Sequence, residues 1–410
     1  MVERRKVGIL CLLLVFVAYD CIPVAEGFQT PNPRARKKDD ARRDRPVRVE
    51  SVAEGGATTA SKLGLPFKRL WEYLTEKAST LPPTLDQERI YLPLNDGRVI
   101  CLDRQSGSLL WSAEPGGTLD APVAVGEKAV YIVSERMKTS DAGSGGSLRA
   151  LDPATGVTLW ARDYERPFTS PIATLGDRLY AGGADGSLYS LSAAGGDVIW
   201  KAATQNEVRG LALITDDAIY FGSNDGALYS VAPASGKETW KYQTQGAVVG
   251  RPVADDRAVY FGSRDGYVYA VNTANGKLRW RSPTSAAVET SPVITGDRLL
   301  VASLDDFVYA LSKSRGDRIW KRRMDSRIAA TPIIEGDANM VAPLRGNHVA
   351  VFLNADGRRV NLYQLEKGFE IVAGPIFSDG LLFIATDQGL VVAKSFKKPE
   401  NPDSKNLGKK

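Results

Sequence analysis

The 410-residue chain has little of what most enzymes use. Histidine occurs once, as His348, and cysteine three times, as Cys11, Cys21 and Cys101. One histidine excludes His-rich metal sites and leaves His-based catalysis without a second imidazole. Three cysteines, two of them within the first 21 residues, cannot form a disulfide framework, and no two are adjacent. Zinc-ligand spacings and phosphate-loop motifs are also missing. Hydrophobic residues make up 43%, ordinary for a globular protein and too few for a polytopic membrane protein. The one long apolar run, Val7 to Tyr19, is 13 residues and short for a bilayer span.

That run lies in residues 1–27, which read as an export signal. Arg4-Arg5-Lys6 precedes it, and Ala25-Glu26-Gly27 offers small residues for cleavage before Phe28. Two rival readings are a lipid anchor at Cys21, although Asp20 stands where a lipobox has a small residue, and an uncleaved anchor. All three place the protein outside the cytoplasm. Residues 28–64 read as a disordered basic tether and 397–410 as a disordered basic tail, being rich in Pro, Gly, Ser and charge and poor in large apolar groups. The tether has nine basic and five acidic residues and the tail five and two, so the intervening 65–396 is left at −2 of the chain's net +5. A nucleic-acid groove on the body is therefore not expected. The tether suits an anionic membrane or cell wall at about 1 kcal/mol per charge, while the simpler reading is a solvated linker.

What is abundant is repetition. The seven tryptophans are Trp71, Trp111, Trp160, Trp200, Trp240, Trp280 and Trp320, at intervals of 40 with a single 49. From Trp111 onward each follows a glycine by four residues, as in Gly236/Trp240 and Gly316/Trp320, and an eighth slot falls at Asn361 after Gly357. Runs such as Ala258-Val259-Tyr260-Phe261 and Tyr267-Val268-Tyr269-Ala270-Val271 are β-branched and aromatic. Asp-Gly pairs between them, or Asp305-Asp306, make hairpin turns, so Asp96, Asp185, Asp225, Asp265 and Asp305 read as turn residues rather than metal ligands. Each unit then holds four strands, A to D: at the proline, at the tyrosine, after Asp-Gly, and at the Trp. Four antiparallel strands per 40 residues is a propeller blade. Eight Trp slots predict an all-β, eight-bladed propeller over 65–396. The Trp71 strand would complete a last blade that otherwise lacks strand D. The 49-residue interval places an insertion at Ser134 to Gly145, and one extra residue is expected near Asn347 or His348. All seven tryptophans are expected to pack blade cores. Cys101, in a strand-like run, is expected to be a buried small hydrophobe.

Ala150-Leu-Asp-Pro-Ala-Thr-Gly-Val-Thr-Leu-Trp160 resembles the tryptophan-docking motif of pyrroloquinoline-quinone-type propellers, over about 330 residues. In that family the Trp ring packs between neighbouring blades against the Gly peptide of the motif. A WD40 propeller is disfavoured, since its Gly-His signature needs histidines this chain lacks. Quinoprotein dehydrogenases of this type usually carry a Cys-Cys pair and a calcium cluster over the channel; this chain has no Cys-Cys and no insertions large enough for a cofactor pocket, so neither enzyme activity nor a cofactor or metal is expected. An exported propeller reduced to its eight blades resembles the BamB family. The resemblance implies a non-enzymatic periplasmic scaffold at the outer membrane that binds the POTRA domains of BamA, as a monomer within a complex, and assists insertion of β-barrels. The family's Leu-x-Leu-Arg-Gly contact segment corresponds to Val208, Arg209, Gly210 and Leu211. These lie in the one internal D–A connection that lacks the proline. The family's acidic pair in the next connection is replaced by Ala247-Val248-Val249. The alternative is a secreted propeller binding another envelope protein or a polysaccharide.

Overall fold

A computed structural model describes residues 65–75, 77, 79–136 and 144–395. The export segment, the tether, the tail and the centre of the insertion lie outside these. Within them the alternating, β-branched runs form 32 strands in eight four-stranded antiparallel sheets, without a helix. Blade 5 is representative: A Val253–Ala254, B Ala258–Gly262, C Tyr267–Asn272 and D Leu278–Pro283 pair in sequence order. Strands B and C are nearly all buried, whereas D shows one side to solvent. This burial gradient places D at the outer edge of the ring.

The cores lie between neighbouring blades. One cluster joins Tyr180, Leu188 and Trp200 of blade 3 to Val208, Ile219 and Phe221 of blade 4. Each tryptophan is part of such a seam. In strand D the pairing register skips a residue beside the Trp, as between Ala270 and Val271 opposite Trp280. A bulge of this kind re-aims the side chain. The Trp ring then packs on the docking-turn glycine of the following blade: Trp111 on Gly156, Trp160 on Gly196, Trp200 on Gly236, Trp240 on Gly276, Trp280 on Gly316 and Trp320 on Gly357. The indole Nε1 donates to a carbonyl three residues before that glycine, Thr273 at 2.9 Å for Trp240, Lys313 at 3.0 Å for Trp280 and Asn354 at 3.0 Å for Trp320. Trp320 is thus docked like the others, although the turn that receives it belongs to blade 7, whose own Trp slot holds Asn361.

The ring closes between its ends. Strand Phe67–Leu74 is the D strand of blade 8 and pairs antiparallel with Gly389–Ser395, from Phe67↔Ser395 to Leu74↔Gly389. Trp71 then packs on Gly107 of blade 1. This closure explains why Asn361 fills the eighth slot. A Trp in blade 7 would need the C–D turn of blade 8, but there C and D come from opposite ends of the chain and no turn joins them. Asn361 instead donates from Nδ2 to the Leu65 carbonyl.

The insertion is narrower than its sequence bounds. Val130–Arg136 and Gly145–Leu151 remain paired to Arg136↔Gly145, so Ser134 to Arg136 and Gly145 are strand, not turn. Cys101 is fully buried, and desolvation pushes its thiol up to about 12, which leaves it inert.

One inter-blade contact makes stability depend on pH. The Lys313 ammonium, in blade 6's docking turn, lies 2.9 Å from Asp255 in blade 5. Burial pushes the Asp255 carboxyl up, but Lys313 and the N–H groups of Arg257 and Ala258 outweigh it and bring it down to about 2. A depressed carboxylate stabilises above its unfolded pKa, and that contribution is lost as pH falls through the folded value. Between pH 4 and 2 the protein should therefore lose about 2 kcal/mol through this group. Lys313→Met should flatten that part of the profile. Thermal melts over pH 2–7 check this, and an unchanged profile would exclude the contact as its source.

Candidate protein-binding site

Because strands alternate in direction, the D–A connections and the B–C turns emerge together on one face. Repeated hydrogen bonds fix their geometry. Asp265 Oδ1 accepts from the Tyr267 N–H in its own turn. Its Oδ2 accepts from the Tyr269 hydroxyl at 2.8 Å and from the Gln245 N–H of the preceding connection at 3.0 Å. Burial first, then the Asp265 carboxylate, raises the Tyr269 hydroxyl above its ordinary value and keeps it a donor. Asp225 and Asp305 repeat the arrangement. These aspartates thus tie blade to blade as well as shaping turns. The signal was an Asp-x-x-x-Tyr spacing at period 40, as in Asp185/Tyr189 and Asp265/Tyr269.

Each connection is also pinned by a wedge. Val208, Val248, Val288, Ile328 and Ile371 are fully buried. A Cβ on Gly182, Gly222 or Gly262 would collide with Val208, Val248 or Val288 respectively, so these glycines make room for the wedge. Two residues of the contact segment read from sequence take part in this packing. Val208 is a fully buried wedge, and Gly210 is buried against Val249 of the next connection. The 40-residue recurrence of the wedge was the available clue.

Arg209 and Leu211 remain accessible. The Arg209 side chain is 52% exposed and its Nε lies 2.6 Å from Glu207 Oε2. Glu207 also accepts from Asn224 Nδ2, so the arginine is held upright from its own loop and the following turn. Arg264 and Glu289 form a second pair on this face at 2.8 Å. In the blade 1–2 connection, burial first and then Glu135 raise the Asp120 carboxyl above its ordinary value, and Arg209 opposes this as the favourable charge. Composition gave no hint of the Glu289 and Asp120 positions, because the charges they meet are distant in sequence.

Leu211 lines a cavity of about 720 Å³ with Pro122, Ile172, Ala330, Thr331 and Pro375. Among the described residues no ionisable side chain lines it. A tricarboxylate quinone and calcium would need cations and carboxylates there, and no group of three or more His, Cys, Asp or Glu suited to a metal occurs among the described residues. The cavity does not fit that cofactor pair.

An eight-bladed propeller with a charged rim around an apolar mouth defines a protein of the quinone-repeat propeller class. The chain belongs to the family described as outer membrane protein assembly factor BamB, whose profile matches residues 64–143, 144–249 and 245–401. Among solved structures it is similar to BamB from Moraxella catarrhalis, at 17% identity and TM-score 0.68, covering 81% of this chain and 100% of that one. The computationally designed Ika8 protein follows at 16% and 0.67, covering 79% and 98%. The quinohemoprotein alcohol dehydrogenase from Comamonas testosteroni, at 12% and 0.65 with 84% and 79% covered, has the same fold. No curated protein matches the sequence.

Proposed function

We propose that this protein is an exported, non-enzymatic scaffold that binds the POTRA domains of BamA through the D–A face and assists assembly of β-barrels in the outer membrane. Residues 1–27 would direct export, 28–64 would tether the propeller at that membrane, and it would act as a monomer within the complex. The observation that carries this reading is Arg209 with Leu211. They form an upright, exposed guanidinium beside an apolar mouth, in the connection where the repeat loses its proline. Exposed arginine next to a hydrophobic depression is the usual make-up of an interface anchor. The uncharged lining of the cavity, among the described residues, suits a binding role.

Arg209→Glu should weaken capture of purified POTRA domains by at least tenfold, about 1.4 kcal/mol or more, without shifting the melting temperature. Deleting residues 137–143 tests the rest of the face while sparing the paired strands. Undiminished binding by both variants would overturn the proposal, and crosslinks to a different envelope protein or retention on polysaccharide would then favour the alternative. Mass spectrometry of the mature N-terminus distinguishes cleavage before Phe28 from lipidation at Cys21.

A further inference from the structure

The seams between blades are not filled alike at the end opposite the D–A face, where the A–B and C–D turns emerge. Between blades 5 and 6 a charged pair takes the space. Asp255, in the A–B turn of blade 5, accepts from the Tyr260 hydroxyl at 3.1 Å and meets Lys313 of the next docking turn. Blade 1 has Asp86 in the same slot, accepting from the Tyr91 hydroxyl at 2.7 Å. Strand register puts Gly126 there in blade 2, since Val125↔Val130 and Ala124↔Tyr131 match Ala254↔Val259 and Val253↔Tyr260. A Cβ on Gly126 would lie 2.7 Å from the Tyr131 ring, so the ring leans into the room an acid would take. Across the seam, the docking turn of blade 3 has Ala193 and Ala194 where that of blade 6 has Lys313 and Ser314. Both sides of this seam are therefore small.

What remains is a pocket of about 300 Å³ between blades 2 and 3, lined by Glu127, Lys128, Tyr131, Leu159, Trp160 and Asp177 among others. Its wall is aromatic and apolar. Trp111, Trp200, Trp240, Trp280 and Trp320 are buried, whereas Trp160 is only partly so, and Leu159 is exposed. Trp160 Nε1 and the Tyr131 hydroxyl both donate to the Ala193 carbonyl, at 3.1 and 3.4 Å, so that acceptor is already taken. The rim is charged with both signs. Glu127, Lys128 and Asp177 are exposed, and none has an ion-pair or side-chain hydrogen-bond partner among the described residues. Burial first, then Glu127, raises the Tyr131 hydroxyl above its ordinary value, so the Glu127 charge is felt at the pocket. An amine would be repelled there by Lys128, and a carboxylate by Glu127 and Asp177. A neutral polyol meets neither penalty, since its hydroxyls can donate to the two carboxylates and accept from the ammonium. An aromatic wall beside a few polar groups suits a ligand with one C–H face and a hydroxylated edge, which is the make-up of a sugar ring.

We propose that this pocket between blades 2 and 3 binds a neutral saccharide, with one sugar ring packed on Trp160 and Leu159 and its hydroxyls bonded by Glu127, Lys128 and Asp177. The pocket opens among the A–B and C–D turns, opposite Arg209, so its occupancy does not depend on partner binding at the D–A face. The full-length exported protein is titrated by calorimetry with cellotetraose, with maltotetraose, with tetrameric N-acetylglucosamine, and with choline as a cationic probe. Ala194→Arg fills the pocket from an exposed turn position, and Ala234→Arg makes the same change in the equivalent turn of blade 4. Glu127→Ala/Asp177→Ala removes two exposed carboxylates and leaves the packed core untouched. The expected result is binding of at least one saccharide, weakened at least tenfold by Ala194→Arg and by the double variant and unchanged by Ala234→Arg. Binding of choline alone, binding of no probe, or an equal affinity for saccharide in all variants overturns the proposal. So does an equal loss in Ala234→Arg.

Discussion

Gly276→Val is expected to lower stability by about 3 kcal/mol or more. Two costs add. Gly276 has φ +67, a region in which a β-branched residue is strained, and its Cβ would lie 2.5 Å from the Trp240 ring. Overpacking of this kind costs about 1–3 kcal/mol beyond the backbone strain. The Trp cannot retreat, because its Nε1 is bonded to Thr273 in the same turn. Gly296 separates the two costs. It has φ +58 with nothing within 4 Å of its Cβ position, so Gly296→Ala should cost only about 1–2 kcal/mol. Urea unfolding of both variants checks this. Equal midpoints would mean that contact between ring and glycine does not hold the seam.

Trp71→Ala should open the ring where its ends meet, at a cost of about 3 kcal/mol. Trp71 packs on Gly107 and against the cluster of Ile90, Leu92, Phe383, Leu390 and Val392, which joins blades 8 and 1. Unlike its counterparts, its buried Nε1 has no hydrogen-bond partner, so packing alone holds it. Arg104 helps the same seam, reaching Asp379 at 2.7 Å and stacking on Phe383 at 5.6 Å. In the variant, the Phe67–Leu74 strand should fray and leave Gly389–Ser395 as an open edge. Amide exchange in Gly389–Ser395 should then accelerate far more than in the equivalent strand Tyr267–Asn272, which chain connectivity holds on both sides. Uniform acceleration would show that the seam is no weaker than the other blade junctions.

The two predictions draw on different levels of information. The Gly-to-Trp spacing and the Asp-Gly turns are local, recur along the chain, and each requires a short-range conformation that only certain residues adopt. From them the blade number, the strand order and the pairing of the two chain ends were legible. The candidate site was legible only in part. Arg209 and Leu211 stand out because a proline is missing, but the same stretch hid Val208 as a wedge and Gly210 as a buried glycine. Side-chain direction in a connection depends on what the neighbouring blade presents.

The sequence by itself determined the period, hence the fold, because hydrophobic alternation and turn chemistry act within a few residues. Only the tertiary structure decided which docking turn each tryptophan meets, that Trp320 still has one in blade 7, and that Asn361 has none to meet. It also decided that Asp265 reaches back to Gln245, and that Val208 packs on Gly182 of the preceding blade. Those contacts join residues about 20 to 40 positions apart, or the two ends of the chain, and they form only when closure of the ring brings successive blades face to face.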